Sequence, residues 1–358
     1  MKFYLSSILF LFSIHSSTEY KFETVLDNLD DAWSFVFLSE DKILFTEMPG
    51  KLRIASLTDK SIINVTNIPE VAYSSQGGLS EVVLDPDFST NNKIYISYSA
   101  KKENKKITLY LASAELKDNK LVNRKIIFEA NAYRRSPAHM GAKIAFLNDG
   151  TLLLTSGDGY DHREKAQSLD NHFGKIIRIN RDGSIPKDNP FISNKNALSD
   201  IYSYGHRNMQ GLIITSSGEI YEHEHGPKGG DELNIIKPSL NYGWPAITYG
   251  IDYSGAVISP FTEKEGMEQP LFTWIPSIAP SDMIFYEKDL YPELKNNFLI
   301  TALVSKDVKQ ININDLTTQK SLFTDLNFRL RNIQDSPKGY IYLLTDGPNN
   351  KLIKILPK

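Results

Sequence analysis

The run Tyr204-Gly205-His206-Arg207-Asn208 is followed closely by Glu224-His225-Gly226-Pro227-Lys228-Gly229-Gly230-Asp231-Glu232. This window mixes guanidinium, amide, imidazole and carboxylate groups with flexible glycines, a mixture that a core strand does not need. A guanidinium is a planar fork for carboxylate or phosphate. Glycine and proline bend the backbone so that carbonyl oxygens can face a hard cation. The window reads as a site for an anionic ligand and a metal. The same residues also suit a polar surface turn, because Gly-Pro and Gly-Gly punctuate turns generally.

Other segments carry compatible chemistry. His139, in Pro137-Ala138-His139-Met140-Gly141, precedes an apolar segment, and the next strand-like run ends at Ser156-Gly157-Asp158-Gly159. An imidazole accepts a proton near neutral pH, and a nearby carboxylate can orient it. Taken singly, each also suits a structural or turn position. Gln76, beside Gly77 and Gly78, could bond a sugar hydroxyl or cap a turn. Arg329 and Arg331 share one face of a strand if side chains alternate there, and two such cations repel unless anions pair them. With Arg207 they form a cradle for a multiply carboxylated ligand, or else a solvated strand face. The proline-pinned stretch Trp274-Ile275-Pro276-Ser277 could wall a planar ring or simply connect strands.

Several chemistries are absent. The chain has no P-loop, no G-x-G-x-x-G after a strand, no H-E-x-x-H, no G-x-S-x-G and no EF-hand loop. It has no cysteine, which removes disulfides, thiolate metal sites and a cysteine nucleophile. A net charge of -3 leaves no basic footprint for nucleic acid.

The elements that must position these residues are strands. With 358 residues and 41% hydrophobic content, the chain can bury a real core in one large or two ordinary domains. A polar turn leading into an alternating strand recurs at 40–46, 92–97, 149–155, 217–222, 296–301 and 338–345. The intervals of roughly 40 to 80 residues suit propeller blades with insertions. Partner strands follow at 51–54, 174–179 and 308–311. The expected fold is all-β, a six-bladed β-propeller, with a large β-sandwich or two smaller β domains as the alternatives. In a propeller, loops from distant blades converge at one end of the axis.

At the N-terminus, Lys2 precedes an apolar run at 3–14 and then Ser16, Ser17 and Thr18. That is the order of a secretory signal peptide, too short for a comfortable membrane span. Residues 1–17 are expected to be the signal and 18–358 a single catalytic propeller with no membrane span, periplasmic or secreted. An uncleaved anchor is the alternative.

In order along the chain, further motifs join these: Leu84-Asp85-Pro86-Asp87-Phe88, Asp188-Asn189-Pro190-Phe191, Asn241-Tyr242-Gly243-Trp244-Pro245 and Leu344-Thr345-Asp346. Together the set resembles the soluble, pyrroloquinoline-quinone (PQQ)-dependent aldose sugar dehydrogenases, the glucose/sorbosone dehydrogenase family, from about residue 33 to 355. The resemblance implies a six-bladed propeller that oxidises the anomeric carbon of aldoses to lactones and passes electrons to an external acceptor.

It also implies roles. His139 is the general base and Asp158 its support, both at the substrate. Gln76 lies near substrate and cofactor. Arg207 and Asn208 face the quinone together with His139 and Ser277, and Arg207 also stabilises developing charge. Arg329 and Arg331 pair quinone carboxylates. A calcium ion beside the quinone takes the carbonyls of Gly226 and Pro227. A structural calcium takes the Glu232 carboxylate and the Tyr242 carbonyl.

Four positions depart from the family pattern: Ala142-Lys143 replaces Gly-Arg, Asn332 replaces Asp, and Lys306 stands out of register with a cofactor-contacting lysine. Two other classes compete, a non-enzymatic sugar- or partner-binding propeller and a calcium-dependent lactonase.

Overall fold

In a computed structural model, residues 20–102 and 106–357 are described. The expected signal peptide, 1–17, lies outside them. Six four-stranded antiparallel sheets stand around one axis as the blades of a propeller. The innermost strands are Ala32–Ser39, Leu79–Leu84, Gly141–Phe146, Met209–Ile214, Pro280–Tyr286 and Leu330–Asp335, numbered here as blades one to six, and each neighbours the next around the ring.

All six recurrent segments are second strands: Lys42–Glu47, Lys93–Lys101, Leu152–Ser156, Ile220–Glu224, Asn297–Ala302 and Ile341–Thr345. The partner segments become third strands: Lys51–Ser56, Lys175–Ile179 and Val308–Asn312. The intervals are uneven because blades three and four carry long insertions, at 157–174, 180–200 and 237–271.

Each pair of neighbouring blades buries one apolar cluster, so six clusters alternate with six sheets. Between blades two and three, for example, Tyr95, Leu109 and Leu111 meet Ile144, Leu152 and Ile177. Blade six is completed from the other end of the chain. Its fourth strand, Lys21–Leu29, pairs antiparallel with Asn350–Leu356. Among the described residues no helix is long and apolar enough to cross a membrane.

The axis is polar. Lys143 on blade three reaches Glu81 on blade two at 2.5 Å and Asp282 on blade five at 2.8 Å. Ser34 on blade one donates to Glu81, and the Ile333 N–H of blade six donates to Asp282. The ammonium also lies 5.2 Å from the Trp33 ring centroid. Burial pulls Lys143 down, but Asp282 and Glu81 outweigh it and hold the ammonium above its ordinary value. Burial pushes both carboxyls up, since one cation is shared between two of them.

Ala142, beside it, has φ +81°. That left-handed conformation costs an L-residue about 1–2 kcal/mol. Against this, its buried methyl contributes about 0.8 kcal/mol. Relative to glycine it also loses less unfolded-state freedom, worth about 0.4–1 kcal/mol. These contributions nearly cancel, so an alanine is tolerated where glycine is usual.

Lys143→Met leaves two buried carboxylates without their cation and is expected to cost about 3–5 kcal/mol, read as a lowered urea midpoint with an unchanged slope.

Candidate active site

His139 lies in the loop entering the inner strand of blade three, with φ +45°. Its backbone is held at both ends. The His139 N–H donates to Gln76 Oε1 at 2.7 Å, and the His139 carbonyl accepts from Arg134 Nη1 at 2.8 Å. The loop rests on Gly157, where an added Cβ would come within 2.2 Å of the His139 carbonyl oxygen. Glycine is therefore required between Ser156 and Asp158.

Asp158 lies two residues past the end of the second strand of the same blade and is 1% exposed. Its N–H donates to the Arg207 carbonyl at 2.8 Å. Its Oδ1 accepts from His139 Nδ1 at 2.7 Å and from the Tyr160 N–H at 2.9 Å. Its Oδ2 accepts from Trp244 Nε1 at 2.8 Å. With Nδ1–H given to Asp158, the imidazole keeps its Nε2 lone pair for a proton. Burial pushes His139 below its ordinary value. Asp158 pulls it up, while Arg207 and Arg134 push it further down. Burial alone would raise Asp158, but the bond and charge of His139, with Arg207, hold it below the ordinary range. At neutral pH the pair is therefore a neutral imidazole against a carboxylate.

Arg207, just before the inner strand of blade four, is 4% exposed. Its N–H donates to Glu224, and its Nη1 donates to the carbonyls of His225 at 2.9 Å and Gly226 at 2.7 Å. Its guanidinium carbon stands 5.2 Å from the Trp244 ring centroid. The Nε has no partner. At Gly226 an added Cβ would meet the Gly230 carbonyl oxygen at 2.1 Å, so only glycine fits. Asp231 fixes this turn by accepting from the N–H groups of Gly226, Ile278 and Ala279.

Two cavities flank the His139 loop. The first, about 270 Å³, gathers Gln76, Asn208, Arg329 and Arg331 beside His225 and Asp346. The second, about 290 Å³, gathers His139, Asp158, Arg207 and Pro227 with Tyr160, Arg163, Trp244, Asp252 and Tyr253. Ser277 lines neither cavity. Its Oγ accepts from the Gly229 N–H at 3.0 Å and lies 3.4 Å from the Pro227 carbonyl, tying down the turn.

The two arginines converge for a reason other than strand alternation. Arg329 precedes its strand, and the pairing slips between Leu330 and Asn332. What aligns them is Asp346, which accepts from Arg329 Nε at 2.8 Å and from Arg331 Nε and Nη2 at 2.8 and 2.5 Å. Lys306 reaches Asn327 at 3.4 Å and lines neither cavity.

Glu232 and Tyr242 lie apart from both cavities. Tyr242 stacks on His206 with ring centroids 4.6 Å apart. His206, Glu222 and Glu224 offer ligand atoms within 4.8 Å of one another. Glu232 is paired with Glu224 in the sheet register. Among the described residues, Glu222 Oε1 and His206 Nδ1 are buried without a hydrogen bond, although His206 Nδ1 lies 3.5 Å from Glu224 Oε2. Burial raises all three carboxyls, Glu224 to about 8.

Sequence reasoning missed Arg134 and Glu222, and it gave no individual role to Asp231 and Glu224, inside the opening window, or to Trp244 and Asp346. Trp244 and Asp346 stand inside recognisable motifs, which was the available signal. Nothing local marks Arg134.

The Glucose / Sorbosone dehydrogenase family profile matches residues 29–354, and the chain belongs to that family of sugar oxidoreductases. It is 36% identical to aldose sugar dehydrogenase YliI of Escherichia coli (strain K12), covering 94% of this chain and 92% of that one. It is 30% identical to quinoprotein glucose dehydrogenase B of Acinetobacter calcoaceticus over 68% of this chain and 56% of that one. The apo-form crystal structure of the soluble Escherichia coli aldose sugar dehydrogenase superposes with a TM-score of 0.91 at 34% identity, covering 95% and 100% of the two chains.

In a nuclear magnetic resonance titration, His139 is expected to be neutral at pH 7 and to titrate below the ordinary value of about 6.5. Asp158→Asn removes the one neighbour that raises it, so the midpoint should move lower still.

Proposed function

We propose that the chain oxidises aldoses at the anomeric carbon to lactones, using bound PQQ and calcium, and passes the electrons to an external acceptor. One observation carries the reading: the His139–Asp158 pair faces one cavity while Arg329, Arg331, Asn208 and Gln76 line the next.

The residues fit the implied groups. A flat tricarboxylate needs fixed cations and amides, and the first cavity offers two guanidinium groups with the Gln76 and Asn208 amides, while Asp346 and Asp31 bring two carboxyls to the same wall. Arg207 adds an unpartnered buried Nε. Gly226 and Pro227 would give carbonyl oxygens to calcium at a turn that excludes a side chain. The unpartnered Glu222 Oε1 beside Glu224 suits a second cation, held with Glu232 and the Tyr242 carbonyl. Ser277 would act on the cofactor side by fixing the Gly226 turn.

A bound quinone supplies a two-electron acceptor for the hydride leaving the anomeric carbon. The protein does the rest. His139 Nε2 takes the anomeric hydroxyl proton as the C–O double bond forms. Asp158 steadies the resulting imidazolium through Nδ1–H. Arg207 places positive charge where negative charge develops on oxygen. The 159–168 and 252–258 segments form the sugar-facing wall through Tyr160, Arg163, Asp252 and Tyr253. The apolar run at 3–14 supports export, with the mature chain starting at 18.

Reconstitution with PQQ and calcium, followed by dye reduction with an aldose panel, tests the reading, and absence of quinone binding overturns it. His139→Gln should lower kcat by about 10³-fold and leave quinone affinity within a few fold. Arg331→Met should weaken quinone binding by about 10- to 100-fold, the worth of one charge-assisted hydrogen bond. Calcium should raise the unfolding temperature of the quinone-free protein, and Glu222→Gln should reduce that rise.

A further inference from the structure

Asp158 is buried, and its two oxygens are held unequally. Oδ1 accepts from both His139 Nδ1 and the Tyr160 N–H. Among the described residues, Oδ2 accepts only from the Trp244 indole, at 2.8 Å. The indole face also carries the Arg207 guanidinium, 5.2 Å from its centroid. Trp244 therefore touches two of the residues assigned to the chemistry.

Trp244 is itself tied to the cavity wall. Its carbonyl accepts from Gln167 Nε2 at 2.8 Å, and its N–H donates to the Gly205 carbonyl at 2.9 Å. Gln167 and Asn241 exchange a reciprocal pair of amide bonds, 3.0 and 2.8 Å long. The insertion carrying Gln167 is fastened by Lys175, whose buried ammonium donates to the carbonyls of Lys165, Ala166 and Phe173 at 3.1, 3.0 and 2.5 Å. An unbroken chain of polar contacts thus runs from that insertion through Gln167, Trp244 and Asp158 to the imidazole.

We propose that Trp244 is a positioning residue: its N–H fixes Asp158 Oδ2 so that Oδ1 stays on His139 Nδ1 and the imidazole keeps one tautomer and one orientation. Without that donor, the buried Oδ2 would lose its protein partner, and the carboxylate could rotate to satisfy it at the expense of the imidazole. The other charged or titratable groups acting on the pair, Arg134, Arg207, His162, His225 and Glu224, supply no side-chain bond to Oδ2. The catalytic consequence rests on the function proposed above, whereas the tautomer does not.

The test replaces Trp244 with site-specifically incorporated benzothienylalanine, which keeps the indole's shape and lacks the N–H; Trp244→Phe is the simpler companion. In quinone-free protein, the downfield proton resonance of His139 Nδ1–H should be lost or broadened by exchange. In reconstituted enzyme, kcat should fall by about 10- to 100-fold with the sugar KM nearly unchanged, the loss of one charge-assisted bond. An intact resonance overturns the proposal whatever the turnover, and so does unchanged turnover with a lost resonance. If the wild-type protein oxidises no aldose, the functional reading fails, and the resonance alone decides whether Trp244 sets the tautomer.

Discussion

The buried ammonium of Lys143 sits where the inner strands meet, and the ring is organised about it. Two carboxylates from blades two and five share this single cation, with a hydroxyl from blade one and a backbone N–H from blade six completing their bonds. A buried ion cluster of this kind adds little net stability over apolar packing, yet it is costly to break. Its effect is to specify register, because a strand that slipped by one residue would turn its charged side chain away from the axis. The inner strand that carries Lys143 begins two residues after His139. Setting the register of that strand at the axis therefore sets the height of the imidazole at the mouth.

The site itself is built by opposing demands. In the proposed reaction a base must be neutral to accept a proton, and its partner must be ionised to steady the product. Burial and two neighbouring guanidinium groups push His139 down, while His139 itself, Arg207 and the Tyr160 N–H hold Asp158 below the ordinary carboxylate range. The same guanidinium groups have other duties. Arg134 clamps the His139 backbone, and Arg207 ties the Asp158 segment to the Gly226 turn. Positive charge that depresses the base is thus placed by residues that also fix its geometry.

Much of this architecture is legible in the amino-acid sequence. Short, mostly apolar runs after polar turns identify the second strand of each blade; the alternation expected of them does not extend to burial, because neighbouring blades cover both faces. The joining of His139 with Asp158 and of Arg329 with Arg331 follows from motif order. Less legible are bonds between segments distant in sequence. Two strands separate Arg329 from Asp346, and Trp244 is 86 positions from Asp158. No local period records such pairings. Arg134 carries no pattern because its partners are backbone carbonyls. Ala142 likewise looks like a weakened site in the sequence, yet its backbone keeps the positive φ that glycine would adopt.

The pairing of Lys21–Leu29 with Asn350–Leu356 has a temporal consequence. The first described strand of the chain has no partner until the last strand has been made. This contact has nearly the greatest sequence separation the chain allows, and such long-range pairings form slowly. Arg329, Arg331 and Asp346 belong to the blade that this pairing completes. Blades one to five can gather as nascent chain, but the blade that carries Arg329, Arg331 and Asp346 is completed only at the final closure. A chain cut short before its last strand would keep those three residues and lose the strand that joins their blade to Lys21–Leu29.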